Sequence, residues 1–144
     1  SVAFMYWDYG SGAHIGKTFI QNYFDNKLPL HLTIAFEKAG YHRELILEHV
    51  YKKPLPSKFL ASISTFISDY KNDSYVKDLI AECFTLFFNS QIAKYTNAKD
   101  LSINSVGSIG YYYQEVLEIV AKKEGYTIGN IIKSPIEGLI KYHS

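Results

Sequence analysis

From residue 12 to residue 95 the apolar positions of the chain recur at helical spacing. Residues 12–25 place Ile15, Phe19, Ile20, Tyr23 and Phe24 in one stripe, the pattern of an amphipathic helix that buries one face. That pattern runs out in the turn-like DNKLP. Shorter helices are expected at about 31–39, stopped by Gly40, and at about 42–51, stopped before KKPLP, where two prolines break any helix. Pro56 suits the first position of the next one. Residues 57–70 carry Phe59, Leu60, Ile63, Phe66, Ile67 and Tyr70 on one face. The strongest pattern covers 74–95, with Val76, Leu79, Ile80, Cys83, Phe84, Phe87, Phe88, Ile92 and Tyr95; Asp73 stands ahead of it as N-cap.

After the polar NAKD the character changes. LSINSVGSIG reads as a short strand ending in glycines, and YYYQEVLEIVAKKEG as a helix closed by Gly125, the residue that tolerates a left-handed cap. YTIGNIIKS reads as a second strand, and Ser134, Pro135 and Glu137 make a capping box for a terminal helix. Strand, helix, strand, helix implies a parallel pair with a right-handed crossover. An apolar run, Val2 to Trp7, precedes the first helix as a strand would. A parallel pair is too small to cover both its faces alone, so the chain reads as the later part of a larger α/β domain. The expected fold class is α+β in appearance, helix-rich with a small parallel strand pair. One domain is expected over 1–144, with a helical insertion at about 27–99 and the strand-helix-strand-helix unit at about 100–144.

Composition narrows the function classes. The 144 residues are 47% hydrophobic and 20% charged, ordinary for one globular domain with a real core. Lys and Arg number 15 against 14 Asp and Glu, a net charge of +1, so no strong field draws nucleic acid or anionic lipid, and neither partner is expected. The single cysteine, Cys83, lies in an apolar helical pattern, which excludes an internal disulfide and a Cys-x-x-Cys metal site and points to a reducing, cytoplasmic setting. No apolar run approaches the roughly 18 residues needed to cross a bilayer, and the N-terminus lacks the marks of a signal peptide. His14, His31, His42 and His49 share no metal-ligand spacing, so no metal site is expected in the chain itself. The abundant aromatics, 13 Tyr and 9 Phe, are read as core and rim of helix faces.

One stretch carries candidate chemistry: WDYGSGAHIGKT, residues 7–18. A Walker loop needs Gly, four residues, then Gly-Lys-Ser/Thr, so that successive N–H groups wrap phosphates. Gly16, Lys17 and Thr18 match, but Ser11 occupies the first glycine position, between Gly10 and Gly12. Beyond Thr18 the chain reads as helix upon helix, without the strand whose acidic residue would hold Mg²⁺. Lys17 is therefore read as an exposed helix residue, and a P-loop nucleotide-binding protein is the least favoured reading.

The ordered set GSGAHIGK, VYKKPLPSKFLASISTF, NSVGSIGYYYQEVL and IGNIIKSPIEGLIKYH resembles the C-terminal half of the BadF/BadG/BcrA/BcrD-type ATPases, and within them the bacterial relatives of N-acetylglucosamine kinase. It spans nearly the whole chain, and the order of the segments rather than any one motif makes it specific. The resemblance implies the C-terminal part of a ribonuclease H-like kinase domain, of the sugar kinase and actin-like superfamily in which two domains close around MgATP. It implies phosphoryl transfer from ATP to an amino-sugar hydroxyl, with ATP and Mg²⁺ bound only where the two-domain site is complete.

The family's Gly-Asp-Glu-Gly-Ser-Gly segment lines up with Asp8, Gly10, Ser11 and Gly12, with Trp7 at the first Gly and Tyr9 at the Glu. By that resemblance Asp8 and Ser11 contact sugar hydroxyls, a carboxylate accepting two directed bonds from neighbouring hydroxyls. Gly10 and Gly12 lie on the nucleotide side with Gly107 and Ser108, which match the adenosine-side turn. The bulky pair Trp7 and Tyr9 is able to reshape or fill such a pocket. Each site residue also has a plain structural reading: Asp8 as helix cap, Gly107 and Ser108 as a strand-to-helix turn. The family's phosphate turns and catalytic Asp belong to a part that these residues do not contain, so no catalytic residue is assigned and the chain is expected to be inactive alone. The expected partners are ATP, an amino sugar, an N-terminal kinase domain and a second copy of the chain. The alternative is a non-catalytic binding or dimerisation module of the same fold.

Overall fold

The computed structural model of the protein describes residues 2–52 and 57–134. The terminal helix expected from the Ser134–Glu137 capping box and the helix start at Pro56 lie outside them. The chain divides into two compact units: one formed by Ser1–Ser11 with Lys77–Ser144, the other by Gly12–Val76.

The Gly12–Val76 unit is helical, and its helices match the apolar stripes of the sequence. They are α1 (Tyr9–Phe24), which begins in the other unit, α2 (Leu30–Lys38), α3 (Arg43–Lys52) and α4 (Ser57–Ser68). DNKLP forms the turn after α1, where Asn26 adopts φ 57°, a left-handed conformation that Asn tolerates better than most residues. Phe19, Phe36 and Phe66 are the centre of this core. The Phe19 and Phe36 rings meet edge-on at 5.0 Å, and Phe66 lies 5.2 Å from Phe36. Leu32, Ile46, Ile63 and Ile67 are buried with them. Polar tips are satisfied at the margin: Tyr23 Oη donates to Glu37 Oε2 at 2.8 Å, and burial together with that carboxylate pushes the Tyr23 phenol up to about 12.

The other unit holds the sheet. Strands β1 (Val2–Tyr6), β2 (Ser102–Val106) and β3 (Thr127–Ile132) lie side by side in the order β1-β2-β3, all parallel. The expected parallel pair is β2 with β3, and Val2–Tyr6 extends it to three strands by pairing along β2 from Val2 opposite Ser102 to Tyr6 opposite Val106. Alternation divides the faces. Ala3 and Met5 point into the core, whereas Val2, Phe4 and Tyr6 are 52%, 40% and 55% exposed.

Helix α5 (Ser74–Phe87) starts where Asp73 predicts it, with Asp73 Oδ1 accepting the backbone N–H of Tyr75 at 2.9 Å and of Val76 at 3.4 Å. The expected single helix to residue 95 changes at Phe88–Ile92 into a π-helical turn, whose wider pitch accommodates one extra residue while Phe88 and Ile92 both stay fully buried. Burial pushes the Cys83 thiol up to about 12, which suits a small core residue. The helix expected after β2 is two: α6 (Ser108–Tyr112) and α7 (Gln114–Glu124), broken at Tyr113, φ −104° and ψ 33°. Tyr113 is buried while Tyr111 and Tyr112 are not, so the kink turns one ring of the Tyr run inward. Gly125 closes α7 in the left-handed conformation, φ 84°.

Candidate functional site

Parallel strands all end on one side of their sheet, and in such sheets ligands bind beyond the carboxyl ends. Here Tyr6 pairs with Val106, and Val106 with Ile132. The residues just past these strand ends, Trp7-Asp8, Gly107-Ser108 and Lys133, therefore form the carboxyl rim.

Asp8 begins the first connection as the N-cap of α1. Its Oδ1 accepts the Ser11 backbone N–H at 3.1 Å and the Ser11 hydroxyl at 3.3 Å, satisfying one of the orphan donors of the first turn. The sequence-predicted sugar contacts, Asp8 and Ser11, are thus brought together and bonded to each other. Asp8 remains exposed and Ser11 is buried. Gly10 lies exposed in the same first turn. Gly12, the first residue of the helical unit, has its carbonyl accept the Ser64 hydroxyl at 3.0 Å.

Gly16, Lys17 and Thr18 lie well inside α1 rather than in a loop. Thr18 Oγ1 is bonded to the His14 carbonyl at 2.8 Å, and Gly16 packs on Leu60, where a Cβ would stand 3.3 Å from the Leu60 carbonyl. In a helix body the N–H groups are already bonded to the preceding turn, so this stretch offers no phosphate cradle. Lys17 is exposed, as expected.

The second connection turns at Gly107, φ 129°. Its N–H donates to the Ile132 carbonyl at 2.9 Å, and a Cβ there would lie 2.7 Å from the Trp7 carbonyl oxygen; only glycine meets both demands. Ser108 follows as an exposed hydroxyl at the start of α6. Lys133 stands past β3 with its Nζ 5.7 Å from the centre of the Tyr111 ring, a cation–π distance.

The Trp7 backbone belongs to this rim, but its side chain turns away from it into the core. It is 7% exposed, with its ring 4.7 Å from Phe84 and 5.6 Å from Phe87. Its indole Nε1–H donates to Ser105 Oγ at 2.7 Å. Gly110 admits the indole: a Cβ there would meet Trp7 Nε1 and Ser105 Oγ well inside van der Waals contact. Sequence reasoning missed Ser105 and Lys133. A small polar residue inside an apolar strand was the available signal for Ser105; for Lys133 only its place at a strand end marked it.

The donor set of the rim, hydroxyls, backbone groups, one ammonium and one exposed carboxylate, suits a polyhydroxyl or nucleoside ligand better than a bare cation. Among the described residues no three His, Cys, Asp or Glu side chains converge on a metal position.

No family model and no curated protein matches the chain. Among solved structures, a Porphyromonas gingivalis protein provisionally described as an N-acetylglucosamine kinase superimposes with a TM-score of 0.80 and 38% identity, over 92% of this chain. The chain is similar to that protein in sequence and fold along nearly all of its own length. The likeness expected from its segments is borne out, and so is the helix-rich fold with a small parallel sheet. The chain spans 47% of that relative's length. Among the described residues, no helix is long and apolar enough to cross a membrane.

Proposed function

We propose that the chain supplies sugar and adenosine contacts to an ATP-dependent amino-sugar kinase-like protein. The observation that carries this reading is the 38% identity and TM-score of 0.80 over 92% of the chain. On this reading Asp8 accepts hydrogen bonds from sugar hydroxyls through its exposed carboxylate, Ser11 holds that carboxylate in place, and Gly10, Gly12, Gly107 and Ser108 border the nucleotide. The Gly107 N–H is engaged by Ile132, so the turn serves by its lack of a side chain and by the Ser108 hydroxyl. Magnesium would arrive with the ATP phosphates and neutralise their charge. A further, N-terminal-type kinase domain completes the site, residues about 27–99 act as a helical insertion into the kinase unit, two copies of the chain pair, and the protein works in the cytoplasm. The hydrogen bonds already made by Asp8 favour a second reading, a binding module that kept the fold without the chemistry.

The test is the thermal midpoint of the purified chain titrated with N-acetylglucosamine and with MgATP, since a ligand that binds only the native state raises it. Asn caps a helix as well as Asp does, so Asp8→Asn is expected to keep the unliganded midpoint and lose most of the sugar-induced rise. Lys17→Ala is expected to change neither ligand's effect. Gly107→Val is a poor probe because its Cβ would overlap Trp7. A native chain whose midpoint responds to neither ligand, both alone and with an N-terminal-type kinase domain added, would overturn the reading, and phosphorylation of the sugar by this chain alone would overturn its incompleteness.

A further inference from the structure

We propose that Trp7 is a positioning residue, whose indole ties the Asp8 turn to the Gly107–Ser108 turn and holds the sugar-side and nucleotide-side groups of the rim at one separation. This rests on the function proposed above.

Four contacts converge on the one residue. The Trp7 backbone N–H donates to the Val106 carbonyl at 2.9 Å, one residue before the turn. Its carbonyl lies where a side chain on Gly107 would be, and its ring lies where a side chain on Gly110 would be. Its Nε1–H reaches Ser105 Oγ at 2.7 Å, and Ser105 is 0% exposed. Asp8 is the next residue in the chain and Ser108 stands between the two glycines, so neither turn shifts without moving the indole. An ordinary strand end needs no such device, because the β1–β2 ladder already sets the register. The tryptophan adds a side-chain tie beyond the last ladder bond, between the chain leaving β1 and the turn after β2, where a two-ligand site must hold its groups to a fraction of an ångström.

The test separates positioning from stability. Ser105→Ala leaves the buried indole N–H without its acceptor, which costs folding stability, whereas replacing both partners by apolar groups of similar shape is close to neutral; Trp7→Phe removes the unpaired N–H and keeps an aromatic ring in the site, less the volume by which Phe falls short of Trp. Calorimetric titration of N-acetylglucosamine and of MgATP into the native chain, Ser105→Ala and the double variant Trp7→Phe/Ser105→Ala reads both effects. The thermal midpoint is expected to fall in Ser105→Ala and to recover in the double variant, while both ligands bind about tenfold more weakly in each. Affinities that recover together with the midpoint, or that never change, overturn the positioning role and leave the proposed function standing. Binding of neither ligand by the native chain, both alone and with an N-terminal-type kinase domain added, overturns both. Trp7 is the only tryptophan in the sequence, so a change in its emission on adding either ligand to the native chain is a second expected outcome, and emission indifferent to a bound ligand counts against the role.

Discussion

At the scale of the residue, this rim is shaped by what its glycines leave out. Gly110 is the sharpest case, because a methyl group there would overlap both Trp7 and Ser105. Gly110→Ala is expected to destabilise the protein by about 1–3 kcal/mol or more, the range for overpacking a tight core. Chemical denaturation followed by Trp7 emission measures it, with the emission of the folded variant shifted to the red as the indole loses its seat. An unchanged midpoint would show that the turn relaxes without strain. Two plain readings at this scale were legible from the sequence, Asp73 as a cap and Gly125 as a helix stop, because both depend on backbone geometry within one turn. The role of Ser105 was not legible: its partner is 98 positions away.

At the scale of the element, α5 shows how one side chain serves two ends. Asp73 accepts the first N–H groups of α5 through Oδ1, and its Oδ2 pairs with His31 Nε2 of α2 at 2.5 Å. Burial works to raise the Asp73 pKa, but the hydrogen bonds from His31, Val76 and Tyr75 outweigh it and hold the carboxyl below its ordinary value. A carboxyl with a depressed folded pKa contributes stability above its unfolded pKa and loses it as the pH falls through the folded value. Unfolding free energy is therefore expected to drop through this group as the pH falls through and below the ordinary carboxylate range, and Asp73→Asn, which keeps the cap, is expected to remove that part of the pH dependence. Asp73→Ala is expected to cost about 1 kcal/mol near neutral pH by losing the cap. Urea titrations at several pH values measure both. Helix existence was legible in the apolar stripes, but the π-turn at Phe88–Ile92 and the break at Tyr113 were not. Both answer to which ring is buried, and periodicity alone does not settle that.

At the scale of the whole molecule, the two faces of the sheet behave as different surfaces. Met5 is fully buried and Tyr6, its neighbour, is 55% exposed. Met5→Ala is expected to cost about 2–5 kcal/mol as a core truncation, and Tyr6→Ser to stay within about 0.5 kcal/mol as a surface change; equal losses in denaturant titrations would mean that both faces are covered in solution. The sequence by itself determined where most helices lie, the Asp73 and Gly125 caps and the parallel pair of β2 with β3, because each is written in spacing along a few turns. Only the tertiary structure decided that Val2–Tyr6 joins β2, that Gly16-Lys17-Thr18 lies inside a helix, and that Trp7 turns into the core against Ser105 and Gly110. Those outcomes depend on contacts between residues tens of positions apart, and local pattern carries no record of which distant surface a side chain will meet.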